Sequence, residues 1–185
     1  MLGRVASDRQ TDVAVLGALS VESMSGYALR QAISDVLGHF WSESFGQIYP
    51  TLAELRANGL IEVTQADGDS KSKFAITARG LERLRARLSE PPQSERPRNG
   101  TLLRLFFGRR LGLAGCRDLL EQAGNQAVEQ LAGFDAIRRE IEAEQPSDDH
   151  PYFLLTVSAG EHAARATAAW AEESLLVLDR IENQS

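Results

Sequence analysis

The stretch Phe-Trp-Ser-Glu-Ser-Phe-Gly-Gln-Ile-Tyr-Pro-Thr-Leu-Ala-Glu-Leu-Arg-Ala-Asn-Gly-Leu, residues 40–60, decides the fold. It predicts a helix that begins near Ser44, whose hydroxyl can cap the first turn, and that ends at Asn58-Gly59. Apolar residues recur at spacings of four and three and predict one buried stripe, formed by Ile48, Leu52 and Leu55.

The opposite face of this helix is short and polar. At about 100° per residue, Gln47, Pro50, Thr51 and Glu54 fall away from the apolar stripe and toward solvent. A helix whose outer face carries only short polar side chains fits the DNA major groove, where base edges can be read. Periodicity alone favours the alternative, an ordinary amphipathic surface helix, so the flanking segments decide between the two.

Two shorter helices are predicted before this stretch. The first spans Asp12 to Leu19 and is mostly apolar. After a connector from Ser20 to Ser25, the second runs from Gly26 to about Leu37, with Ser25 as its cap and Gly38 at its end. Together with the helix predicted from Ser44 to Gly59, they give three helices in sequence, the arrangement that a helix-turn-helix domain requires.

A hairpin and a fourth helix follow. Leu60–Thr64 and Lys71–Thr77 predict two strands around an Asp-Gly turn, and Thr77 is the predicted cap of a helix that runs to Leu88, with Leu81, Leu84 and Leu88 inward and its arginines mainly outward. Three helices, a hairpin and a helix make a winged helix-turn-helix. Lys71 and Lys73 lie near the hairpin tip, where a wing can reach phosphate; a solvated turn is the alternative.

These residues resemble the PadR family of transcriptional regulators over about residues 12–90. The matching motifs, in chain order, are Val15-Leu16-Gly17-Ala18-Leu19, Ser25-Gly26-Tyr27, Phe40-Trp41, Gly46-Gln47-Ile48-Tyr49-Pro50-Thr51-Leu52, Leu55, Asn58-Gly59-Leu60-Ile61 and Phe74-Ala75-Ile76-Thr77-Ala78-Arg79-Gly80. The resemblance implies a DNA-binding regulator. The chain departs from the commoner pattern at Met24 and in a wing that lacks a dense basic run.

The predicted DNA-binding set combines the outer face, the caps and the wing. Gln47 and Thr51 are expected nearest the bases. Tyr49 is expected near phosphate, with packing against Tyr27 or Trp41 as the alternative for its ring. The full set is Ser25, Tyr27, Ser44, Gln47, Tyr49, Thr51, Lys71 and Lys73.

The second half of the chain predicts an α-helical dimerisation domain. Residues 91–100 form a proline-rich linker between a domain at 1–90 and one at 101–185. A short apolar helix is predicted from Thr101 to Leu111, and then two long helices, from Leu113 to Glu144 and from Ser147, as cap, to Ile181. Apolar residues recur along both long helices, and a second copy of the chain is expected to cover them, through Leu113, Leu120, Ala127, Phe134, Ala164, Ala171, Leu175 and Leu178.

This half resembles the virulence-activator-like C-terminal domain that follows the winged helix in one branch of the family. The opening Leu-Leu-Arg-Leu-Phe-Phe-Gly carries the resemblance, and the remainder matches by helix pattern. The resemblance implies effectors as well, since the family includes regulators that small aromatic or amphipathic compounds release from DNA. A candidate effector pocket is therefore assigned to aromatic residues of this half, Phe106, Phe107, Phe153 and Trp170, with close helix packing at the neighbouring alanines as the alternative.

Composition and charge limit the functions that the chain can have. The net charge is −6, yet residues 1–100 hold 12 Lys+Arg and 12 Asp+Glu, which leaves 8 and 14 for residues 101–185. The acidic excess thus lies in the second half, and a DNA-binding face on the first half is permitted. With no signal core, no apolar run of membrane length and the lone Cys116, the protein is expected in the cytoplasm.

Catalytic and cofactor motifs are missing from the sequence. His39, His150 and His162 are scattered, and no metal-ligand spacing, P-loop or dinucleotide fingerprint occurs. We therefore expect neither an enzyme nor a metal or cofactor. The sequence favours a dimeric repressor that binds a palindromic operator in double-stranded DNA; the alternative is a ligand-binding or adaptor protein that uses the winged helix for protein interaction. Salt-dependent binding to the protein's own promoter would separate the two.

Overall fold

The computed structural model describes residues 2–38, 41, 45–65, 72–92 and 99–184. The chain divides into two compact units, residues 1–94 and 95–185. The first unit contains α1 (Leu2–Val21), β1 (Met24–Ser25), α2 (Gly26–Ala32), α3 (Phe45–Ala57), β2 (Ile61–Gln65), β3 (Lys73–Ile76) and α4 (Ala78–Leu88). The second contains α5 (Gly100–Phe106), α6 (Gly108–Ala143) and α7 (His150–Glu182).

The first two helices differ from their predicted extents. Helix α1 begins ten residues before the predicted Asp12, because apolar periodicity located only its buried part, which includes Val15 and Leu16. The predicted helix from Gly26 to Leu37 is α-helical only to Ala32, and residues Ile33–Leu37 continue it as a π-helical turn. Ser25 caps α2 as predicted, because its Oγ accepts a hydrogen bond from Ala28 N–H at 3.2 Å.

The core of the first unit collects the apolar stripes of its helices and the base of the hairpin. Its fully buried members are Val15, Leu16, Leu29, Ile48, Leu55 and Ile61. Leu84 of α4 joins this core, but Leu88 was wrongly predicted to point inward and is 66% exposed. Leu88 is the last residue of α4, beyond the part of the helix that the core covers. Arg87, predicted mainly outward, is mostly buried and pairs with Glu90 at 3.0 Å.

A three-stranded antiparallel sheet replaces the predicted two-stranded hairpin. The strand order is β1-β3-β2, and β1 lies in what was predicted to be a connector. It pairs Met24 with Phe74 and Ser25 with Lys73. A strand of two residues is too short to show an alternating pattern, so the sequence carries no sign of it.

The junction of α3, β2 and α4 is held by local hydrogen bonds. Gly59 takes φ +68°, the left-handed conformation that ends α3, and Leu60 N–H donates to Leu55 O at 2.9 Å. Thr77 N–H donates to Leu60 O at 3.0 Å, and the Thr77 hydroxyl lies 2.9 and 3.1 Å from the carbonyl oxygens of Gly59 and Leu60. The same hydroxyl caps α4, as predicted, by accepting from Gly80 N–H at 3.1 Å.

The second unit begins with two helical pieces where one was predicted. Helix α5 is capped by Asn99, whose Oδ1 accepts from Leu102 N–H at 2.9 Å, and it ends at Phe106 instead of Leu111. Helix α6 then contains a non-helical residue, Gly112 with φ +85°. Only glycine adopts this conformation without strain, so the long regular helix starts after Gly112, where the sequence predicted it.

Helices α6 and α7 pack against each other as an antiparallel hairpin. The predicted apolar seams meet inside it, where Leu120, Ala127, Phe134, Val157, Ala164 and Ala171 are buried. Arg117 bridges the two helices near one end by contacting Asp179 at 2.8 Å and Glu182 at 3.1 Å. Ser147 does not cap α7, which begins at His150 with Pro151 in its first turn; proline suits that position and fixes the start.

A charged residue is buried in this otherwise apolar seam. Glu161 is 6% exposed, and its carboxylate contacts Arg138 Nε at 2.8 Å and Arg165 at 3.3 Å. The hydrogen bond from Arg138 holds the pKa of the Glu161 carboxyl below its ordinary value of 4.5, against the opposing effect of desolvation. Arg138 lies on α6 and Arg165 on α7, so one carboxylate links both helices.

This ion pair predicts a pH-dependent stability. A carboxyl whose pKa is lowered by folding stabilises the folded state above its ordinary pKa of 4.5, and loses that contribution as the pH falls through its folded pKa. Glu161→Gln should therefore destabilise the protein most at pH 7, and the difference from wild type should shrink as the pH is lowered below about 4. Urea denaturation across pH 3–7 measures it, with Glu129→Gln, an exposed glutamate of α6, as control. If the difference in unfolding free energy between wild type and Glu161→Gln did not change with pH, the ion pair would not be the source of the stability.

Candidate nucleic-acid interface

Helix α3 presents its small residues outward, but the exposed face differs in part from the prediction. Ile48, Leu52 and Leu55 are buried as predicted. Thr51 was predicted to lie near the bases and is only 7% exposed. It lies about 60° from Ile48 around the helix, at the edge of the apolar stripe, and the core covers it. The exposed residues of α3 are Gly46, Tyr49, Pro50, Ala53, Glu54, Arg56 and Ala57, while Gln47 is half-buried at the flank.

A shallow groove lies beside this face, between the start of α2, the middle of α3 and β3. It brings together three of the predicted residues, Ser25, Tyr27 and Tyr49. It also contains Arg56 and Ser72, which sequence reasoning missed. Arg56 lies two helical turns after Tyr49, and that spacing would have placed both on one face. Ser72 directly precedes Lys73, which is exposed.

The close approach of α2 and α3 positions the Tyr49 ring. Gly26 is buried, and a Cβ built on it would lie 3.0 Å from Tyr49 Cε1. The absence of a side chain at Gly26 thus makes room for the ring. Tyr49 remains 53% exposed. Its ring therefore packs against the backbone of α2, and much of the side chain stays open to solvent.

The sheet ties the hairpin to the same groove. Because Ser25 pairs with Lys73 across β1 and β3, the cap of α2 lies directly beside the base of the wing. The Thr64 hydroxyl donates to Lys73 O at 3.3 Å and joins the two hairpin strands there. Two members of the predicted DNA-binding set, Ser44 and Lys71, lie outside the described residues.

The second unit does not bring its predicted effector residues together. Phe106 and Phe107 contact each other edge to face at 5.2 Å, and Phe106 is 83% exposed. Phe153 and Trp170 are both on α7, 17 residues and therefore roughly 25 Å apart along its axis. They cannot wall one small pocket. An open groove between α6 and α7 is lined in part by Gly124, Ala168 and Ala171 and includes none of the four aromatic residues.

The predicted dimerisation residues are largely used within one chain. Leu120, Ala127, Phe134, Ala164 and Ala171 are buried in the α6–α7 hairpin of a single copy. A second copy therefore cannot bury them further, and the prediction that they form a seam between copies is wrong for these five. Leu113, Leu175 and Leu178 are half-buried. Both helices carry an apolar stripe, and the two stripes pack against and bury each other within one chain.

No group of three or more His, Cys, Asp or Glu residues within the described ranges could hold a metal ion. In the same part of the chain, none of the helices is both long enough and apolar enough to span a membrane. Cys116 is buried, with its Sγ 3.6 Å from Gly108 O.

Two family models match the chain in succession. Residues 15–86 match the transcriptional regulator PadR-like family, and residues 97–179 match the virulence activator alpha C-terminal domain. The chain is also similar to the negative transcriptional regulator PadR of Bacillus subtilis, with 26% identity over 176 residues, which cover 90% of this chain and 96% of that protein.

Solved structures share the fold across both units. The PadR-like transcriptional regulator BC1756 from Bacillus cereus has a TM-score of 0.79 at 22% identity and covers 92% of this chain and 98% of its own. Bacillus subtilis PadR in complex with operator DNA has a TM-score of 0.77 at 24% identity, with 90% and 98% covered. The same protein in complex with p-coumaric acid has a TM-score of 0.74 at 24% identity, with 91% and 98% covered.

Proposed function

The chain belongs to the PadR-like family of transcriptional regulators, and on that premise we propose that it is a homodimeric repressor that binds operator DNA through the groove beside α3. The observation that carries the proposal is the convergence of Tyr27, Tyr49 and Arg56 at this groove. A guanidinium and two phenols suit the oxygens of a phosphate backbone. The similarity to a negative regulator from Bacillus subtilis, which has been solved with operator DNA, supports the direction of regulation and the partner.

In this proposal the outer face of α3 contacts the bases, and the residues of the groove contact the phosphates. Pro50, Ala53 and Ala57 are exposed and small, so α3 can approach the floor of a major groove closely. Gln47, at the flank of α3, has the amide that pairs bidentately with adenine. Arg56 and Lys73 are assigned to phosphates, with Tyr49 between them and the bases. Thr51, being buried, has no role in contact. Because the proposed partner is DNA, we propose that the protein acts in the cytoplasm.

Substitutions in the two classes should affect DNA binding differently. Gln47→Ala should cost about 1–3 kcal/mol and relax preference at one base position. Arg56→Ala and Lys73→Ala should weaken binding to all sequences alike. Each should also reduce, by about one, the magnitude of the slope of log binding constant against log salt concentration. Fluorescence anisotropy with promoter DNA, over a range of salt concentrations, measures both effects.

The matched control is Gln122→Ala, which removes an exposed glutamine from the second unit. Its affinity should equal that of wild type. If Gln47→Ala, Tyr49→Phe and Arg56→Ala combined left promoter affinity unchanged, the groove would not be the DNA-binding surface. A wild-type protein with no salt-dependent affinity for its promoter would favour the adaptor alternative.

We extend the proposal to a small aromatic effector that releases the protein from DNA. The Bacillus subtilis relative has been solved with p-coumaric acid, a compound of this class. Because the predicted aromatic residues lie apart, the proposal names the effector class and not its pocket. An effector must bind the form that cannot bind DNA more tightly than the form that can. Titration of the protein–promoter complex with phenolic acids, followed by anisotropy and Trp170 fluorescence in the Trp41→Phe variant, tests this.

A further inference from the structure

The groove beside α3 has an apolar floor as well as the polar residues assigned to DNA. Leu52 of α3 is buried and Phe74 of β3 is half-buried, and both line the groove. Gly26 lies beside them, and a Cβ built on it would lie 3.4 Å from Leu52 Cδ1, so the missing side chain keeps this part of the floor open. Charged and polar groups hold a phosphate, so phosphate binding does not account for the floor.

A positive charge lies at one end of the groove. Arg56 is exposed on α3, two helical turns after Tyr49, so the two side chains begin roughly 10 Å apart along the helix. Among the described residues, Arg56 is the only charged one that lines the groove, and it forms no ion pair with another of them. Its guanidinium can therefore hold an anion without first losing a carboxylate of the protein.

The remaining walls of the groove suit a flat ring. Tyr27 and Tyr49 present exposed aromatic rings, against which another ring can pack offset or edge to face. Ser25 and Ser72 add hydroxyls. The groove has a volume of about 350 Å³, within the range of about 300–1,000 Å³ that is usual for small-molecule sites. An apolar floor, aromatic walls and a cation at one end suit a flat ring joined through a short spacer to a carboxylate.

We propose that this groove binds a small aromatic carboxylate, with the ring on Leu52 and Phe74 and the carboxylate on the Arg56 guanidinium. The inference rests on the proposed function: it gives the aromatic effector a site, and that site is the DNA-binding surface itself. Arginine pairs with a carboxylate through two parallel N–H···O hydrogen bonds, and while it does so it cannot contact a phosphate. The acid and DNA therefore exclude each other. Release then occurs by direct competition, and the acid binds only the DNA-free form, as an effector of this kind requires.

Calorimetric titration of the DNA-free full chain with cinnamate tests the site. Arg56→Ala should raise the dissociation constant of cinnamate at least about tenfold, because it removes charge-assisted hydrogen bonds. Arg56 is exposed and alanine favours helix, so the fold should persist, which circular dichroism checks. Cinnamamide, which has the same shape without the charge, should bind wild type at least about tenfold more weakly than cinnamate does.

The matched control is Arg104→Ala, which removes an exposed arginine from the second unit and should bind cinnamate like wild type. Two results would overturn the site. One is the absence of saturable cinnamate binding to wild type, and the other is equal affinity of wild type and Arg56→Ala for cinnamate.

The dependence of promoter affinity on cinnamate concentration separates competition from an effector site elsewhere. At constant ionic strength, the apparent dissociation constant for DNA should rise in proportion to cinnamate concentration and reach no limit. An effector that binds elsewhere gives a rise that levels off, because protein, effector and DNA can then form one complex. A plateau would overturn the groove as the effector site and leave the proposed repressor intact. A chain with no affinity for its promoter would overturn the proposed function, and cinnamate binding that Arg56→Ala abolishes would still support the groove.

Discussion

Gly80→Ala should destabilise the first unit by about 3 kcal/mol or more. A Cβ at this position would overlap the carbonyl oxygen of Leu60 and lie 2.8 Å from Ile76 Cγ1. Flexible side chains move aside at little cost, but this oxygen belongs to the backbone and is fixed. It accepts hydrogen bonds from the N–H and the hydroxyl of Thr77, at 3.0 and 3.1 Å. A methyl group here must therefore break the junction that joins α3, β2 and α4.

The matched control for this substitution is Gly17→Ala. Gly17 lies within α1, and a Cβ built there meets no atom within 4 Å. Alanine is favoured over glycine in a helix interior by about 1 kcal/mol, so this variant should be slightly more stable than wild type. Urea denaturation, followed by circular dichroism and by promoter binding, compares the two. Equal unfolding midpoints for both variants would show that the junction tolerates a side chain.

Gly160→Ala should have the second large effect, in the α6–α7 hairpin. A Cβ on Gly160 would overlap the Phe134 ring, which is buried in the seam. Phe134 is only 7% exposed, so its ring must shift within the seam or the two helices must separate locally. Overpacking of this kind costs about 1–3 kcal/mol. The expected result is a lower urea midpoint for the transition of the second unit.

Two further variants separate a clash from a general loss of flexibility. Gly133→Ala on α6 meets nothing within 4 Å and should not lower stability. Phe134→Leu in the Gly160→Ala background shortens the ring that the new methyl group meets and should recover part of the loss. Because the two sites touch, their effects should not add. Additive changes in midpoint would mean that Gly160 and Phe134 are not in contact in solution.

Local signals in the sequence predicted the first unit well. The caps at Ser25 and Thr77 and the stop at Gly59 depend on side-chain chemistry within a few residues, and the structure has them where the sequence placed them. The winged-helix arrangement followed from these stops and from apolar periodicity. Strand β1 could not be predicted, because two residues become a strand only by pairing with Phe74 and Lys73, about 50 positions away.

The candidate sites were predicted less well, because they depend on what neighbouring elements cover. Thr51 lies at the boundary between the two faces of α3, and its burial is decided by the packing of the core against α3. On α6 and α7 the apolar periodicity was read correctly, but periodicity does not tell which helix covers a stripe. Each helix covers the other within one chain. Glu161 shows the same limit: a carboxylate at a seam position gives no sign of its arginine partner 23 residues earlier.

The buried Glu161 also restricts how the hairpin can move. Apolar seams with a seven-residue repeat permit α7 to slide along α6 by one repeat and still bury alanines and leucines. Such a step would bring the Glu161 carboxylate opposite Ala127 or Ile141 and away from Arg138, which would leave it only Arg165 of its own helix, and a buried carboxylate that loses its shorter ion pair is destabilising. The ion pair between Glu161 and Arg138 therefore fixes the axial register of α7 relative to α6. Any signal that passes through the second unit must displace the hairpin as one body, since gradual sliding within it is blocked.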